Sequence, residues 1–209
     1  IARKNLPRQR GKGDVRLYQG EQTMKIGLCV TGSFCTFKNL LTAIDSLVED
    51  RHDITPIFSY NVSTLDTRFF KQADFEKEII RKTGKQPLKT IVQAETIAKS
   101  DIQLMLVAPC TGNTLAKIAH GITDTPVTMA VKATLRNNRP VVLSVSSNDA
   151  LGANARNIGA LLNARHVFFV PFAQDAPDSK PNSLIADTSL ILPTIKSAMD
   201  GVQLQPIFS

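Results

Sequence analysis

The chain has 209 residues, of which 43% are hydrophobic and 21% charged, with a formal net charge of +7. This length and balance fit one globular domain with a real core, and they exclude a collagen-like or low-complexity chain and a scaffold that needs disulfides. Three cysteines without zinc spacing and three scattered histidines point to no metal site, and no apolar run reaches the roughly 20 residues of a membrane span. Unpaired thiols indicate a reducing compartment, so a cytoplasmic protein is expected. The start is basic and polar with no apolar stretch behind it, so no signal peptide is expected. The charge is unevenly placed: residues 1–23 hold six basic side chains against two acidic ones, or +4, leaving +3 for the rest. No aromatic residues interleave the basic ones, so no nucleic-acid partner is expected.

Residues 1–23 are polar and lack apolar periodicity, and they read as a disordered or appended basic extension. The folded domain is expected over 24–209. Lys25–Thr31 is a short apolar run and predicts a buried strand. Phe37–Glu49 has helical apolar spacing, and Ile54–Ser59 predicts a second strand. Phe69–Lys82 and Pro87–Ser100 predict helices. Leu104–Ala108 predicts a strand that stops at Pro109. Thr114–Gly121 and Val127–Arg136 predict helices, and Pro140–Val145 a fourth strand. Leu151–Leu162 predicts a helix, His166–Val170 a last strand, and Ser189–Met199 a closing helix. Residues 171–188, with three prolines and many polar side chains, predict one long loop. Alternating strands and helices imply right-handed crossovers and an α/β fold: a doubly wound, mostly parallel, Rossmann- or flavodoxin-like sheet with helices on both faces. Strands that are apolar throughout fit a sheet covered on both sides.

Ligands of such sheets bind outside the carboxyl ends of the strands. After the first strand stand Thr31, Gly32 and Ser33, where hydroxyls and helix N-terminal amides can cradle a phosphate. The single glycine departs from the dinucleotide fingerprint and points to a mononucleotide; a capped tight turn is the bland alternative. Ser59 and Asn61 follow the second strand. Pro109, Thr111, Gly112, Asn113 and Thr114 follow the third, and Ser146, Ser147 and Asn148 the fourth. Together these are the expected cofactor-binding residues. Arg68, Arg136 and Arg139 are candidates for a substrate carboxylate, Arg68 being the best placed. Cys35 and Cys110 are read as small buried thiols, and Asp124 as a possible helix cap. No residue stands out as a general acid or base, so the catalytic residues stay unassigned.

The segment Ala108–Asp124 resembles the P-A-S-A-N-T-x-x-K-x-A-x-G-x-x-D signature of flavoproteins related to cysteine decarboxylases and flavin prenyltransferases. Pro109, Asn113, Thr114, Lys117, Ala119, Gly121 and Asp124 match it, and Thr31-Gly32-Ser33 matches the opening loop in position. The resemblance implies FMN bound at subunit interfaces of a homo-oligomer, a trimer or dodecamer. Across 24–208 the chain resembles the B-subunit family of dipicolinate synthase, carried by Thr31–Thr36, Asn61–Phe69, Thr111–Asn113, Lys132–Pro140, Ser147–Gly152, Val170–Asp175, Lys180–Ser183 and Gln203–Pro206. That implies an oxidoreductase component of sporulation, in the mother-cell cytoplasm. Its implied partner is the dehydrogenase-like A subunit of dipicolinate synthase, which would handle NAD(P), and its substrate a small dicarboxylate. A non-catalytic stabilising or regulatory component with a flavin-type pocket is the alternative. The decarboxylase branch has a catalytic histidine after its second strand, but no histidine lies within 53–119 here. The prenyltransferase branch has an Arg-Glu pair where this chain has Ser146, Ser147 and Asn148. The resemblance therefore implies the fold and the pocket more than either chemistry.

Overall fold

The computed structural model describes residues 23–208, so the expectation for the basic extension falls almost wholly outside the described residues. The strands are β1 (Lys25–Val30), β2 (Asp53–Phe58), β3 (Leu104–Cys110), β4 (Val141–Ser147), β5 (Val167–Phe169), β6 (Phe172–Gln174) and β7 (Leu184–Ala186). The helices are α1 (Phe37–Glu49), α2 (Tyr60–Thr64), α3 (Gln72–Thr83), α4 (Ile91–Glu95), α5 (Gly112–Ala119), α6 (Pro126–Arg136), α7 (Ala155–Leu162) and α8 (Ile191–Met199). Strands β1 to β5 are parallel in the order β2-β1-β3-β4-β5. The expected doubly wound α/β sheet is thus present. The chain leaves β1 for one side and returns on the other, so the order reverses between β1 and β3. That reversal opens a crevice at the carboxyl ends of the two strands.

Burial explains the strands. Ile26, Leu28, Cys29 and Val30 of β1 and every residue of β3 are buried, because helices cover both faces. Helices α1, α3 and α8 pack on one face, and α4, α5, α6 and α7 on the other. α1 turns Phe37, Leu40, Ile44 and Leu47 inward at helical spacing. α6 begins with a Thr125/Thr128 capping box and Pro126, whose missing N–H costs nothing there. α3 stops at Gly84, which adopts φ 70°.

Four expectations are corrected. β3 does not stop at Pro109: it runs to Cys110, with its register against β4 shifted between Val107 and Cys110. Proline has no N–H for the ladder, and the bulge absorbs the missing bond. The helix expected from Phe69 starts at Gln72, where the Asp66 carboxylate accepts the first free N–H at 2.9 Å. The helix expected from Leu151 starts at Ala155, because Asp149 first binds the Ala153 N–H and the Asn154 amide in a turn. Residues 171–188 are not one loop. They contain the antiparallel hairpin β6–β7, and β7 pairs with the end of β4, Ile185 opposite Ser146 and Leu184 opposite Ser147. β4 is therefore shared along one edge: β5 takes its first half and β7 its second.

Candidate functional site

The residues after β1, β3 and β4 meet at the crevice, and the hairpin closes it on one side. The result is a cleft of about 540 Å³, lined among others by Gly32, Ser33, Arg68, Thr111, Gly112, Ser146, Ser147 and Asn148. Its volume lies within the roughly 300–1,000 Å³ of small-molecule sites.

Thr31 holds the floor together. Its buried hydroxyl donates to the Pro109 carbonyl at 2.6 Å and accepts the Thr111 N–H at 3.1 Å, joining β1 to the β3 turn. Next to it, Ser33 Oγ and Ser146 Oγ lie 2.7 Å apart and bridge the β1 and β4 turns. Thr111 caps α5, accepting the Thr114 N–H through its hydroxyl at 3.4 Å. The N-terminus of α5 thereby faces the cleft with its partial positive charge. Gly112 is required by its surroundings: a Cβ there would lie 2.6 Å from Ser147 Oγ and 2.7 Å from Asn154 Nδ2. Asn154 in turn is held by Asp149 at 3.0 Å and by Asn157 at 2.9 Å, so the β4 turn is locked against the start of α5.

The cleft's flanks rest on aromatic packing. Phe34, on the lining, contacts Phe37 at 5.2 Å, and Phe37 stacks on Phe75 at 4.2 Å. Phe70 packs edge-on against Phe75 at 5.7 Å and anchors the segment that carries Arg68 and Phe69. Within that segment the Thr67 hydroxyl accepts the N–H groups of Phe69 and Phe70, both at 3.2 Å. The Gln72 N–H, with Lys71 beside it, holds the Asp66 carboxyl below the usual carboxylate range. The Arg68 guanidinium lies 4.8 Å over the Phe69 ring.

On the other flank, the hairpin tip is braced to the β4 turn. The Leu151 N–H donates to the Asn182 carbonyl at 3.0 Å, and Ser183 Oγ donates to Asn148 Oδ1 at 3.3 Å. Lys180 pairs with Asp175 at 2.8 Å, and that carboxylate holds the ammonium above the usual lysine range.

The sequence-predicted residues sort clearly. Gly32, Ser33, Thr111, Gly112, Ser146, Ser147, Asn148 and Arg68 come together on the lining. Thr31, Pro109 and Thr114 lie beneath or behind it, and Pro109 borders a small void under the floor. Ser59 caps α2 through its hydroxyl, and Asn61 sits at the rim, its Cβ 3.6 Å from where a Gly32 side chain would begin. Asn113 is exposed on the first turn of α5, outside the lining. Arg136 and Arg139 do not belong to this site within the chain: both precede β4, at the opposite edge of the sheet. Arg139 instead donates to the carbonyls of Ser100 and Ile102, at 2.8 and 2.6 Å. Asp124 does not cap α6 but pairs with Lys117 at 2.8 Å, while Thr125 is the cap. Cys110 is buried as expected, and burial pushes its thiol up to about 12, whereas Cys35 is exposed on the cleft. Sequence reasoning missed Phe34, Phe69, Asp175, Lys180 and Ser183. The signal available for the hairpin residues was that Val170–Asp175 and Lys180–Ser183 carried the family resemblance.

Chemically, the floor is a set of hydroxyls and amides suited to an anion and a flat polar ring, and the titratable groups on the lining, Cys35, Arg68, Asp175 and Lys180, are exposed or half-buried. The chain matches the flavoprotein family over residues 15–192. The chain belongs to the flavoprotein family. Within it, the B subunit of dipicolinate synthase from Bacillus subtilis (strain 168) is 44% identical over 184 residues, 88% of this chain and 92% of that protein. The crystal structure of the corresponding dipicolinate synthase B subunit from Bacillus halodurans is 40% identical, with a TM-score of 0.82 over 89% of this chain and 96% of that one. The FMN-dependent cysteine decarboxylase SpaF, at 19% identity and TM-score 0.60 over 86% of this chain and 96% of that one, shares the fold. Among the described residues of this flavoprotein, no helix is long and apolar enough to cross a membrane, and no group of three or more His, Cys, Asp or Glu could hold a metal ion.

The floor of this flavoprotein's cleft makes one mutational expectation plain. Thr31→Val keeps the shape but leaves the Pro109 carbonyl and the Thr111 N–H without their partner. The variant is expected to lose about 2–4 kcal/mol of stability, read as a lowered midpoint in urea denaturation. An unchanged midpoint would show that Thr31 is not what joins the two strands.

Proposed function

We propose that this chain is the flavin-binding component of a dipicolinate synthase, in which FMN occupies the cleft and a partly reduced pyridine dicarboxylate is oxidised. The observation that carries the reading is the floor itself. At the β1/β3 reversal, Gly32, Ser33, Thr111 and Gly112 present small side chains, hydroxyls and the α5 N-terminus to one point. Phosphate is the anion such a cradle suits. Ser146, Ser147 and Asn148 would border the ring, and Ser59 and Asn61 the outer rim. FMN supplies a two-electron hydride acceptor when bound.

The chain's own residues would bind and orient. Arg68, free to turn its planar fork inward, would take a substrate carboxylate. A dihydro substrate becomes aromatic by losing one hydride and one proton, and a tetrahydro substrate by losing two of each. The open mouth lets those protons pass to water. The proposed partner is the dehydrogenase-like A subunit of the synthase, with NAD(P) as the onward hydride carrier, in the mother-cell cytoplasm of a sporulating bacterium. Exposed Phe69 on the cleft lining, with exposed Tyr60 and Leu65 on the same segment after β2, favours a homo-oligomer, a trimer or dodecamer, that covers them. The flavoprotein-like domain is proposed to span 24–209. A stabilising or regulatory component that keeps the pocket is the second reading, favoured by the lack of a buried acid or base on the cleft lining among the described residues.

The test is an absorbance spectrum and a melting curve of the purified chain with FMN, first by itself and then with the dehydrogenase-like A subunit. Bound flavin absorbance and a melting temperature raised by about 5–10 °C at saturation are expected. A colourless protein whose melting is unmoved by FMN overturns the reading. Full-rate dipicolinate formation by the dehydrogenase-like partner without this chain removes both the catalytic role and the supporting one.

A further inference from the structure

The hairpin that sequence reasoning missed brings a second cation to the cleft. Arg68 stands on the β2 side of the sheet order and Lys180 on the β7–β6 side, so the two line opposite flanks of one cleft whose floor is uncharged hydroxyls and amides. Among the described residues, Arg68 makes no ion pair. Its guanidinium carbon lies 4.8 Å from the centre of the Phe69 ring, a contact that leaves its N–H donors unused. Lys180 pairs with Asp175, the acidic member of the lining, but both partners are substantially exposed, at 50% and 34% of the side chain. Exposed pairs of this kind hold weakly and exchange readily. Both cations are carried on braced backbone: Arg68 between Thr67 and the Phe70 anchor, Lys180 on a tip whose own N–H donates to Ala176 at 2.8 Å.

We propose that Arg68 and Lys180 form a two-point clamp for a planar dicarboxylate, in which Lys180 leaves Asp175 for the second carboxylate and so selects two carboxylates over one. The proposal rests on the reading of the cleft as a pyridine dicarboxylate site. Carboxylates on the two carbons that flank a ring nitrogen point apart, so each can meet a cation on one of two flanks. Asp175 holds the place of the second carboxylate and keeps Lys180 aimed when the cleft is open. The hairpin thereby becomes the specificity element of the site.

The experiment is calorimetric titration of the full chain, with and without FMN, using pyridine-2,6-dicarboxylate and pyridine-2-carboxylate as probes. A preference of about tenfold or more for the dicarboxylate is expected. Lys180→Met is expected to abolish that preference and leave the monocarboxylate affinity unchanged. Arg68→Met is expected to weaken both ligands about tenfold. Asp175→Asn, which frees Lys180, is expected to tighten the dicarboxylate alone. The melting temperature should be the same in all three variants, since all three side chains are exposed or half-buried at the surface. Equal affinities for the two probes in the unaltered protein, or a preference that survives Lys180→Met, overturn the clamp even where FMN binds. A preserved preference without FMN binding overturns the flavin reading and sustains the clamp.

Discussion

Gly112→Ala is expected to weaken FMN binding by about tenfold to a hundredfold and to cost about 1–3 kcal/mol of stability. The added carbon would meet Ser147 Oγ at 2.6 Å and Asn154 Nδ2 at 2.7 Å. Neither can simply step aside: Asn154 is buried and bonded to Asp149 and Asn157, and Ser147 is held in the sheet opposite Leu184. The strain therefore passes to the β4 turn, which borders the proposed ring site. Gly159→Ala is the matched control. Gly159 is exposed on α7 with nothing within 4 Å of the new carbon, so alanine there should be neutral or stabilising by a few tenths to about 1 kcal/mol. Flavin titration and urea denaturation of both variants check the expectation. Equal flavin affinity in the two would show that close packing at Gly112 does not shape the cofactor site.

Phe75→Ala should produce the largest loss of stability, about 3–5 kcal/mol, or a melting temperature lower by on the order of 10 °C. Phe75 is 2% exposed and lies at the centre of an aromatic group, with Phe37 at 4.2 Å and Phe58 and Phe70 both at 5.7 Å. Removing the ring leaves a cavity that neighbours on a strand, a helix and a loop cannot all fill. The effect also reaches the site, because Phe34 rests on Phe37, and Phe70 holds the segment bearing Arg68. Flavin affinity should fall several-fold along with stability. Phe75→Leu should recover more than half of both losses, since most of the volume returns. Calorimetric melting and flavin titration measure the two effects. A Phe75→Ala protein that melts normally would place the support of the cleft elsewhere.

Both expectations draw on features of different legibility. Gly112 was recognisable as a candidate because it stands between an apolar strand and a helix, where ligands of α/β sheets bind. The reason it must be glycine was not, since Ser147 and Asn154 are 35 and 42 positions further along the chain. Arg136 and Arg139 illustrate the opposite case. Their chemistry suits a carboxylate, but Arg139 spends its fork on two backbone carbonyls at the far edge of the sheet. A side chain's donor pattern is local, whereas the edge it occupies is set by strand direction.

What the sequence determined by itself was the alternation of apolar strands and amphipathic helices, hence the doubly wound sheet, and the polar turns at its carboxyl edge. These follow from short-range physics: burial on both faces demands apolar runs, and helical periodicity shows within one segment. The tertiary structure alone decided that 171–188 holds a hairpin, that its second strand pairs with the end of β4, and that Lys180 and Asp175 reach the cleft. Three-residue strands among prolines carry no readable period, and they join the main sheet through Ser146 and Ser147, about 40 positions back along the chain. Contacts of that range are properties of the assembled sheet, which is why the framework was legible in the amino acids and the second wall of the cleft was not.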